Sequence, residues 1–301
     1  LSGGGGGGGG SSSQDVVVTA PGNGVASNPV TVLVNNLLSN PRHMAFHGNA
    51  LYIADVTNTT TGDGQIKVFD LSNSMSSSIG YVVSPVGIAF KASGEMFVTG
   101  KNPSGGTGIL QISGGSVIEK VTGLNPSGLA FDNSSYAYVA DISVNRVLIY
   151  DNGFGAATYS APISNMPSGV AFDGTYIYAT LFQGGNQGVY RFTVSGNSAV
   201  CSVFATSTYF NSPNAIAVRT ATRKEIYVVN TGGSANSRSV LKISEDGQTV
   251  TPFLSASNSA HKLCGPTGIA IDGNYLYVAN STCAGGVNSA YAGALLRIEL
   301  Q

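Results

Sequence analysis

Residues 125–153 read NPSGLAFDNSSYAYVADISVNRVLIYDNG, and the hexapeptide PSGLAF within this stretch decides the fold. It combines a proline, a small residue two places later and an apolar-Ala-apolar triplet. Six copies of this phrase occur, with His43 in place of the small residue in the first, and they begin at Pro41, Pro85, Pro126, Pro167, Pro213 and Pro266. Successive copies lie 44, 41, 41, 46 and 53 residues apart, which indicates a repeated structural unit rather than coincidental turns.

Each copy is followed by two further short apolar runs and a weaker fourth stretch. The second runs read ALYIAD, EMFVTG, YAYVAD, YIYATL, EIYVVN and YLYVAN, and the third runs read QIKVFD, GILQIS, RVLIYD, GVYRFT, SVLKIS and ALLRIE. β-branched and aromatic residues dominate these runs, and Gly, Asn, Asp and Ser separate them, which is typical of strands. Four short strands per unit predict an all-β, six-bladed β-propeller of four-stranded antiparallel blades. A β-sandwich is the alternative, and it does not account for six copies in register.

The two ends of the sequence predict how the ring closes. The sixth unit reaches Gln301 directly after its third strand and lacks a fourth. Val30–Val34 occupies the place that fourth strands occupy before the other copies, so we expect it to pair with the strand around Leu295–Glu299. This divides the chain into a Gly/Ser-rich tail (1–14), an extra strand and linker (15–29) and the propeller (30–301).

The third unit resembles the NHL repeat almost position by position. The resemblance is carried by Pro126-Ser127-Gly128, Tyr138-Val139-Ala140-Asp141 and Asn145-Arg146-Val147, and the other units match more loosely. It implies a six-bladed propeller with a central channel. That family includes interaction platforms, RNA-binding proteins with a basic face, and metal-dependent lactonases or lyases among its relatives, so the resemblance does not fix a function.

Composition narrows the choice of partners. Charged residues make up 10% of the chain, against about 25% in typical soluble domains. The formal net charge of −1 offers no basic surface for nucleic acid. No run of about 18 apolar residues predicts a membrane span. A surface of this kind, together with the disulfide predicted below, favours a secreted, extracellular or periplasmic protein.

A set of polar residues falls where it can meet at one end of the channel. These residues are His43, Asp55, Asp141, Asn230, His261 and Asn280. One interpretation is a Ca²⁺ or Zn²⁺ site, because oxygen and imidazole ligands suit these ions. The other is structural: the Asp and Asn side chains brace loops through backbone hydrogen bonds, and the histidines are loop residues. The second interpretation is preferred, and it predicts neither a cofactor nor catalytic residues.

The cysteines predict one disulfide. Cys264 and Cys283 are equidistant from the midpoint of the turn at Gly273-Asn274, so a two-residue hairpin places them opposite each other. Cys201 is then left unpaired, packed in a fourth strand as a small apolar group.

The N-terminal segment suggests assembly. Asp15, Val16, Val17, Val18 and Thr19 form a strand-like stretch that is surplus to the six blades. Such a strand can add to the outer edge of a neighbouring propeller. We therefore predict a non-catalytic extracellular scaffold or binding propeller, with other copies of itself or an extracellular protein or glycan as partner. The alternative is a divalent-metal-dependent lactonase or lyase acting at the channel mouth.

Overall fold

The computed structural model of the chain describes residues 28–157, 159–163, 165–184, 187–195, 198–220, 223–232, 238–283 and 287–301. The Gly/Ser-rich tail and the predicted strand from Asp15 to Thr19 lie outside these residues. The described residues form six four-stranded antiparallel sheets arranged as the blades of a propeller, which confirms the predicted fold. No helix of this part of the chain is long and apolar enough to cross a membrane.

The blades follow one another along the chain, and in each blade the strands run in order from the channel outward. Blade 1 comprises β2 (Pro41–His47), β3 (Ala50–Val56), β4 (Gly64–Asp70) and β5 (Met75–Tyr81). Blade 2 comprises β6 (Ile88–Phe90), β7 (Met96–Lys101), β8 (Thr107–Ser113) and β9 (Ser116–Thr122). Blade 3 comprises β10 (Pro126–Phe131), β11 (Ala137–Asp141), β12 (Arg146–Tyr150) and β13 (Tyr159–Pro162).

The second half of the ring repeats this order. Blade 4 comprises β14 (Pro167–Phe172), β15 (Ile177–Leu181), β16 (Gly188–Ser195) and β17 (Ser198–Thr206). Blade 5 comprises β18 (Pro213–Arg219), β19 (Glu225–Asn230), β20 (Ser239–Ile243) and β21 (Val250–Ser255). Blade 6 comprises β22 (Pro266–Asp272), β23 (Tyr275–Asn280), β24 (Leu295–Glu299) and β1 (Val30–Val34). Short 3₁₀ turns lie at Ser259–His261, between β21 and β22, and at Ser289–Tyr291, between β23 and β24.

Ring closure follows the prediction. Strand β1 pairs antiparallel with β24, with Val30 opposite Ile298 and Val32 opposite Leu296. Just before the strand, the Asn28 side-chain amide donates a hydrogen bond to the Glu299 carbonyl at 2.7 Å. The last blade is therefore completed by the N-terminal end of the described chain, and none of its three C-terminal strands is left as an outer edge.

The innermost strands approach closely, and this explains the glycine of the repeated phrase. A Cβ added to Gly128 would meet the backbone of blade 4, including Val170 N at 2.7 Å. A Cβ added to Gly169 would meet the backbone of blade 5, including the Ala215 Cα at 3.0 Å. Real Cβ atoms do not approach backbone atoms this closely, so blade-to-blade packing at the channel selects glycine.

Large side chains fill the space between blades further out. Tyr178, Tyr227 and Tyr277 belong to the second strands of blades 4, 5 and 6, and all three are almost completely buried. Tyr178 packs edge-on against Phe204 with ring centroids 5.0 Å apart, a favoured geometry for aromatic pairs.

Cys264 and Cys283 form a disulfide, as their positions about the hairpin turn predict. Strands β22 and β23 separate beyond the Pro266–Asn280 pair, so the bridge lies just past their ends. The Cα atoms are 5.5 Å apart, within the usual range for a disulfide. Cys201 is a free thiol in the outermost strand of blade 4, and burial raises its pKa to about 11.

Candidate functional site

The start of each innermost strand and the end of the second strand lie together at one end of the channel, which we call the proline end. Antiparallel pairing sets the proline of the phrase opposite the polar residue that closes the second strand. The observed pairs are Pro41 with Asp55, Pro126 with Asp141, Pro213 with Asn230 and Pro266 with Asn280. The structure therefore places these four predicted site residues at the same end of the channel.

Three of these four side chains bind the loop that enters their own blade. Asp55 accepts hydrogen bonds from the backbone N–H groups of Ser39 and Asn40, at 3.1 and 2.8 Å. Asn230 accepts from Asn211 N at 3.2 Å. In each case a donor lies two residues before the proline, so the side chain holds the loop in position for the next innermost strand.

Asn280 repeats this arrangement in blade 6. It accepts from Cys264 N at 3.1 Å and donates to the carbonyl oxygens of Lys262 and Tyr291, at 2.8 and 3.1 Å. Asp141 differs, because it accepts from the backbone N–H and the hydroxyl of Ser143 in the following loop, at 2.9 and 2.6 Å. All four side chains are buried and bound to neighbouring protein groups.

The two histidines lie in different surroundings. His261 closes a 3₁₀ turn, and its Nδ1 accepts a hydrogen bond from Ser255 N at 2.9 Å. Its Nε2 lies 3.3 Å from the side-chain amide of Asn258. Burial lowers the pKa of His261, so its imidazole is neutral near pH 7 and held within its own loop.

His43 reaches across the channel. Its Nε2 lies 3.4 Å from Asn214 Oδ1 on blade 5, two blades away around the ring. Ser168 Oγ donates to the same oxygen at 2.6 Å, and the hydroxyls of Ser168 and Ser127 are 3.3 Å apart. We call these four residues (Ser127, Ser168, Asn214 and His43) the polar chain.

Burial is the main reason that the pKa of His43 falls to about 4. The hydrogen bond to Asn214 opposes this shift, while the nearby charge of Arg42 adds to it. The imidazole is therefore uncharged at neutral pH, and it offers one hydrogen-bond donor and one acceptor without binding a second proton.

Arg42 places a positive charge next to His43 at the proline end. It occupies the same place in the phrase as Ser127, Ser168 and Asn214, and its side chain is half-buried. The ion pairs of the described residues join Arg219 to Glu225, Lys224 to Asp173 and Lys242 to Glu225, so none of them includes Arg42. Burial lowers the pKa of its guanidinium, but an arginine retains its charge at physiological pH.

The predicted residues do not suit a resident divalent cation. Ca²⁺ takes six to eight oxygen ligands, whereas Asp55, Asp141, Asn230 and Asn280 each direct an oxygen to the backbone of a different loop. Over the described ranges, no group of three or more His, Cys, Asp or Glu side chains is close enough to hold a metal.

Sequence reasoning missed most of the polar chain. It identifies His43 but not Ser127, Ser168, Asn214 or Arg42. The available signal is the second position of the repeated phrase, which varies although the proline before it is constant and the residue after it is glycine in four of the six copies. That position reads Arg42, Val86, Ser127, Ser168, Asn214 and Thr267 around the ring.

No family model matches the sequence, and no curated protein matches it. Solved structures do match over most of the chain. A gluconolactonase from Xanthomonas campestris is 12% identical, with a TM-score of 0.65, 91% of this chain and 90% of that chain covered. An inactive virginiamycin B lyase from Staphylococcus aureus, bound to quinupristin, is 14% identical and has a TM-score of 0.58. The match covers 89% of this chain and 83% of that chain.

A complex between two proteins, nidogen and laminin, also contains a chain that matches. It is 16% identical, with a TM-score of 0.58, and the match covers 73% of this chain and 83% of that one. At these identities the similarity shows the fold alone. The similar structures also include a second, putative gluconolactonase and an aldose sugar dehydrogenase from Streptomyces coelicolor. The six-bladed fold that the NHL resemblance implies is confirmed, and no family match identifies the NHL repeat itself.

Proposed function

We propose that this protein binds a small, hydrogen-bonding anion at the proline end of its channel. The observation that carries the proposal is Arg42, a half-buried guanidinium without an ion pair among the described residues, next to the polar chain. A guanidinium presents a planar fork of donors that matches a carboxylate or phosphate. Asn214 and the neutral imidazole of His43 add uncharged hydrogen-bonding groups.

The geometry supports binding better than catalysis. The Ser168 hydroxyl donates to the Asn214 amide oxygen rather than to the imidazole, so no base activates it. His43, with a pKa near 4, is a weak general base. The acidic residues at this end hold loops in place. These contacts support a binding propeller, the first of the functions that the sequence suggests.

The binding proposal is tested with defined probes. Citrate and acetate supply carboxylates, and glucose supplies hydroxyls without charge; their affinities are measured by isothermal titration calorimetry. We expect citrate to bind, and Arg42→Gln to weaken it about tenfold, the loss of one charged hydrogen-bonding group. Arg223→Gln, which removes an exposed arginine at a different turn, is the matched control. Equal affinity in wild type and Arg42→Gln would refute the assignment.

A second candidate, lactone hydrolysis or elimination at the same mouth, is favoured by the number of enzymes among the similar structures. The test is the hydrolysis of glucono-1,5-lactone, with the rate measured as acid release in the presence and absence of a chelator. Binding without turnover predicts the same rate with wild type, with His43→Gln and without protein. A rate well above background that falls in His43→Gln would replace the binding proposal by an enzymatic one.

We also propose that the N-terminal segment takes part in assembly. A secreted or periplasmic location is compatible with the disulfide. Each backbone hydrogen bond of an added strand contributes about 0.5–1.5 kcal/mol, while ordering costs about 1–2 kcal/mol per residue. Burial of Val16, Val17 and Val18 must therefore supply the balance. Deleting residues 1–20 tests this role: an unchanged particle in size-exclusion chromatography and electron microscopy would remove it.

A further inference from the structure

Blades 3 and 4 carry the same acidic arrangement at the end of the channel opposite the proline end. Their innermost strands end at Phe131 and Phe172, and Asp132 and Asp173 follow directly. In blade 3, Tyr138 donates its hydroxyl hydrogen bond to Asp132 Oδ2 at 3.0 Å, and in blade 4, Tyr178 donates to Asp173 Oδ2 at 3.0 Å. The two carboxylates therefore have equivalent positions and equivalent internal partners.

In blade 4 this arrangement already binds an ammonium group. Lys224 of blade 5 places its Nζ 2.6 Å from Asp173 Oδ2 and 5.5 Å from the centre of the Tyr176 ring. Burial acts to raise the pKa of Asp173, but Lys224 and the turn N–H groups outweigh it, and the pKa lies below its ordinary value. A carboxylate and an aromatic ring together thus hold one cation between blades 4 and 5.

The corresponding place between blades 3 and 4 has no lysine. Phe172 pairs with Ile177 and Val218 pairs with Ile226, so the residue equivalent to Lys224 is Thr175. Asp132 is half-buried and forms none of the ion pairs of the described chain, whereas the Asp173 carboxylate is fully covered.

A cleft of about 520 Å³ opens at this position. It is lined by Asp132, Tyr136, Phe172, Thr175 and Ile177, among others. Asp132 Oδ1 accepts from the backbone N–H groups of Ser134 and Tyr136, both at 2.9 Å, and Oδ2 accepts from Tyr138. An ionised carboxylate has about four acceptor positions, so one remains for a ligand.

We propose that this cleft binds a primary ammonium group carried on an alkyl chain. The ammonium takes the place that Lys224 occupies one blade further on, against Asp132 and the ring of Tyr136, and the alkyl chain lies along Phe172 and Ile177. A lysine side chain of a partner protein and a free alkylamine share this chemistry. The site is independent of the anion site at the proline end.

The test uses n-butylammonium as the probe and 1-butanol as its uncharged analogue, with binding followed by saturation-transfer NMR and calorimetry. Wild type is expected to bind n-butylammonium and to discriminate against butanol. Asp132→Asn should weaken binding about tenfold, because one charge-assisted contact is lost. Asp151→Asn, an exposed carboxylate that caps another turn of blade 3, is the matched control and should bind as wild type does.

Thr175→Lys is the sharper variant, because it supplies the missing lysine from within the chain. It should abolish n-butylammonium binding while the protein remains folded, since its own ammonium then fills the cleft. Equal binding by folded Thr175→Lys and wild type, or equal binding of butanol and n-butylammonium, would overturn the proposal.

A blocked Ala-Lys-Ala peptide distinguishes the two sources of the ammonium. Tighter binding than that of n-butylammonium assigns the cleft to a protein partner, and equal or weaker binding assigns it to a free amine.

Discussion

Replacing Gly128 by alanine tests whether close contact between innermost strands determines the repeated phrase. The new methyl group would lie against the carbonyl of Ser168, 2.7 Å from Val170 N and 3.0 Å from the Gly169 carbonyl carbon. All three neighbours are backbone atoms of blade 4, so no side chain can rotate away. The two innermost strands must separate, or the methyl must be accommodated by backbone strain.

The expected loss is that of an overpacked core, about 1–3 kcal/mol. About 2–4 °C in Tm corresponds to each kcal/mol in domains of 150–250 residues, and less in larger ones. On this scale a loss of about 1–3 kcal/mol lowers the Tm of Gly128→Ala by roughly 2–12 °C, and the size of this chain favours the lower part of the range.

Gly155→Ala is the matched control, because its added methyl would meet nothing within 4 Å and its backbone does not require glycine. It should leave stability unchanged or raise it by up to about 1 kcal/mol. The assay is thermal unfolding followed by far-ultraviolet circular dichroism, with urea unfolding as a check at about 25 °C. If Gly128→Ala unfolds at the same temperature as Gly155→Ala, blade contact is not the reason for this glycine.

Three further changes have definite expected outcomes. Cys264 and Cys283 are 19 residues apart in sequence, and replacing both by serine should lower the free energy of unfolding in urea by about 3 kcal/mol. An unchanged urea midpoint would show that the disulfide does not constrain the chain. The pKa of His43 in the folded protein, about 4, lies below its value in the unfolded chain, so the unfolded chain binds more protons between these two pKa values. The free energy of unfolding should therefore fall by about 3 kcal/mol as the pH drops from 6.5 to 4. Urea titrations at several pH values should show a smaller fall in His43→Gln. Lys91 donates a hydrogen bond to Asn152, its Nζ lies 4.8 Å from the centre of the Phe97 ring, and burial lowers its pKa. The charged lysine therefore destabilises the folded state, and the free energy of unfolding should rise as the pH approaches the pKa of the unfolded lysine. Lys91→Met should show a smaller rise in the same titrations.

Local sequence signals are sufficient to predict the fold. Blade number follows from the repeated phrase, because each copy carries its own proline and strand pattern, and four of the six also carry the glycine. Pairing of Val30–Val34 with Leu295–Glu299 follows from the missing fourth strand of the last unit, and the disulfide from symmetry about one hairpin turn. In each case the deciding residues lie within one unit or at the two ends of the chain.

The site depends on contacts between units, and these are not visible in a local pattern. His43 and Asn214 are 171 residues apart, and their contact follows from the curvature of the ring. The sequence makes Asp55 a candidate metal ligand, but its carboxylate accepts hydrogen bonds from the backbone of Ser39 and Asn40 because the loop that enters the blade folds over it. The proposed ammonium cleft is recognised only when the hairpin registers of blades 4 and 5 are compared, because this comparison aligns Thr175 with Lys224.

The most direct test of the anion site is a crystal structure of the protein with 4-bromobenzoate, using the anomalous signal of bromine to locate the probe. We predict bromine density at the proline end, with the carboxylate within hydrogen-bond distance of the Arg42 guanidinium, and no density there in Arg42→Gln. Bromine bound elsewhere while the proline end holds only solvent, or a metal ion held at that end by Asp55, Asp141, Asn230 or Asn280, would contradict the assignment.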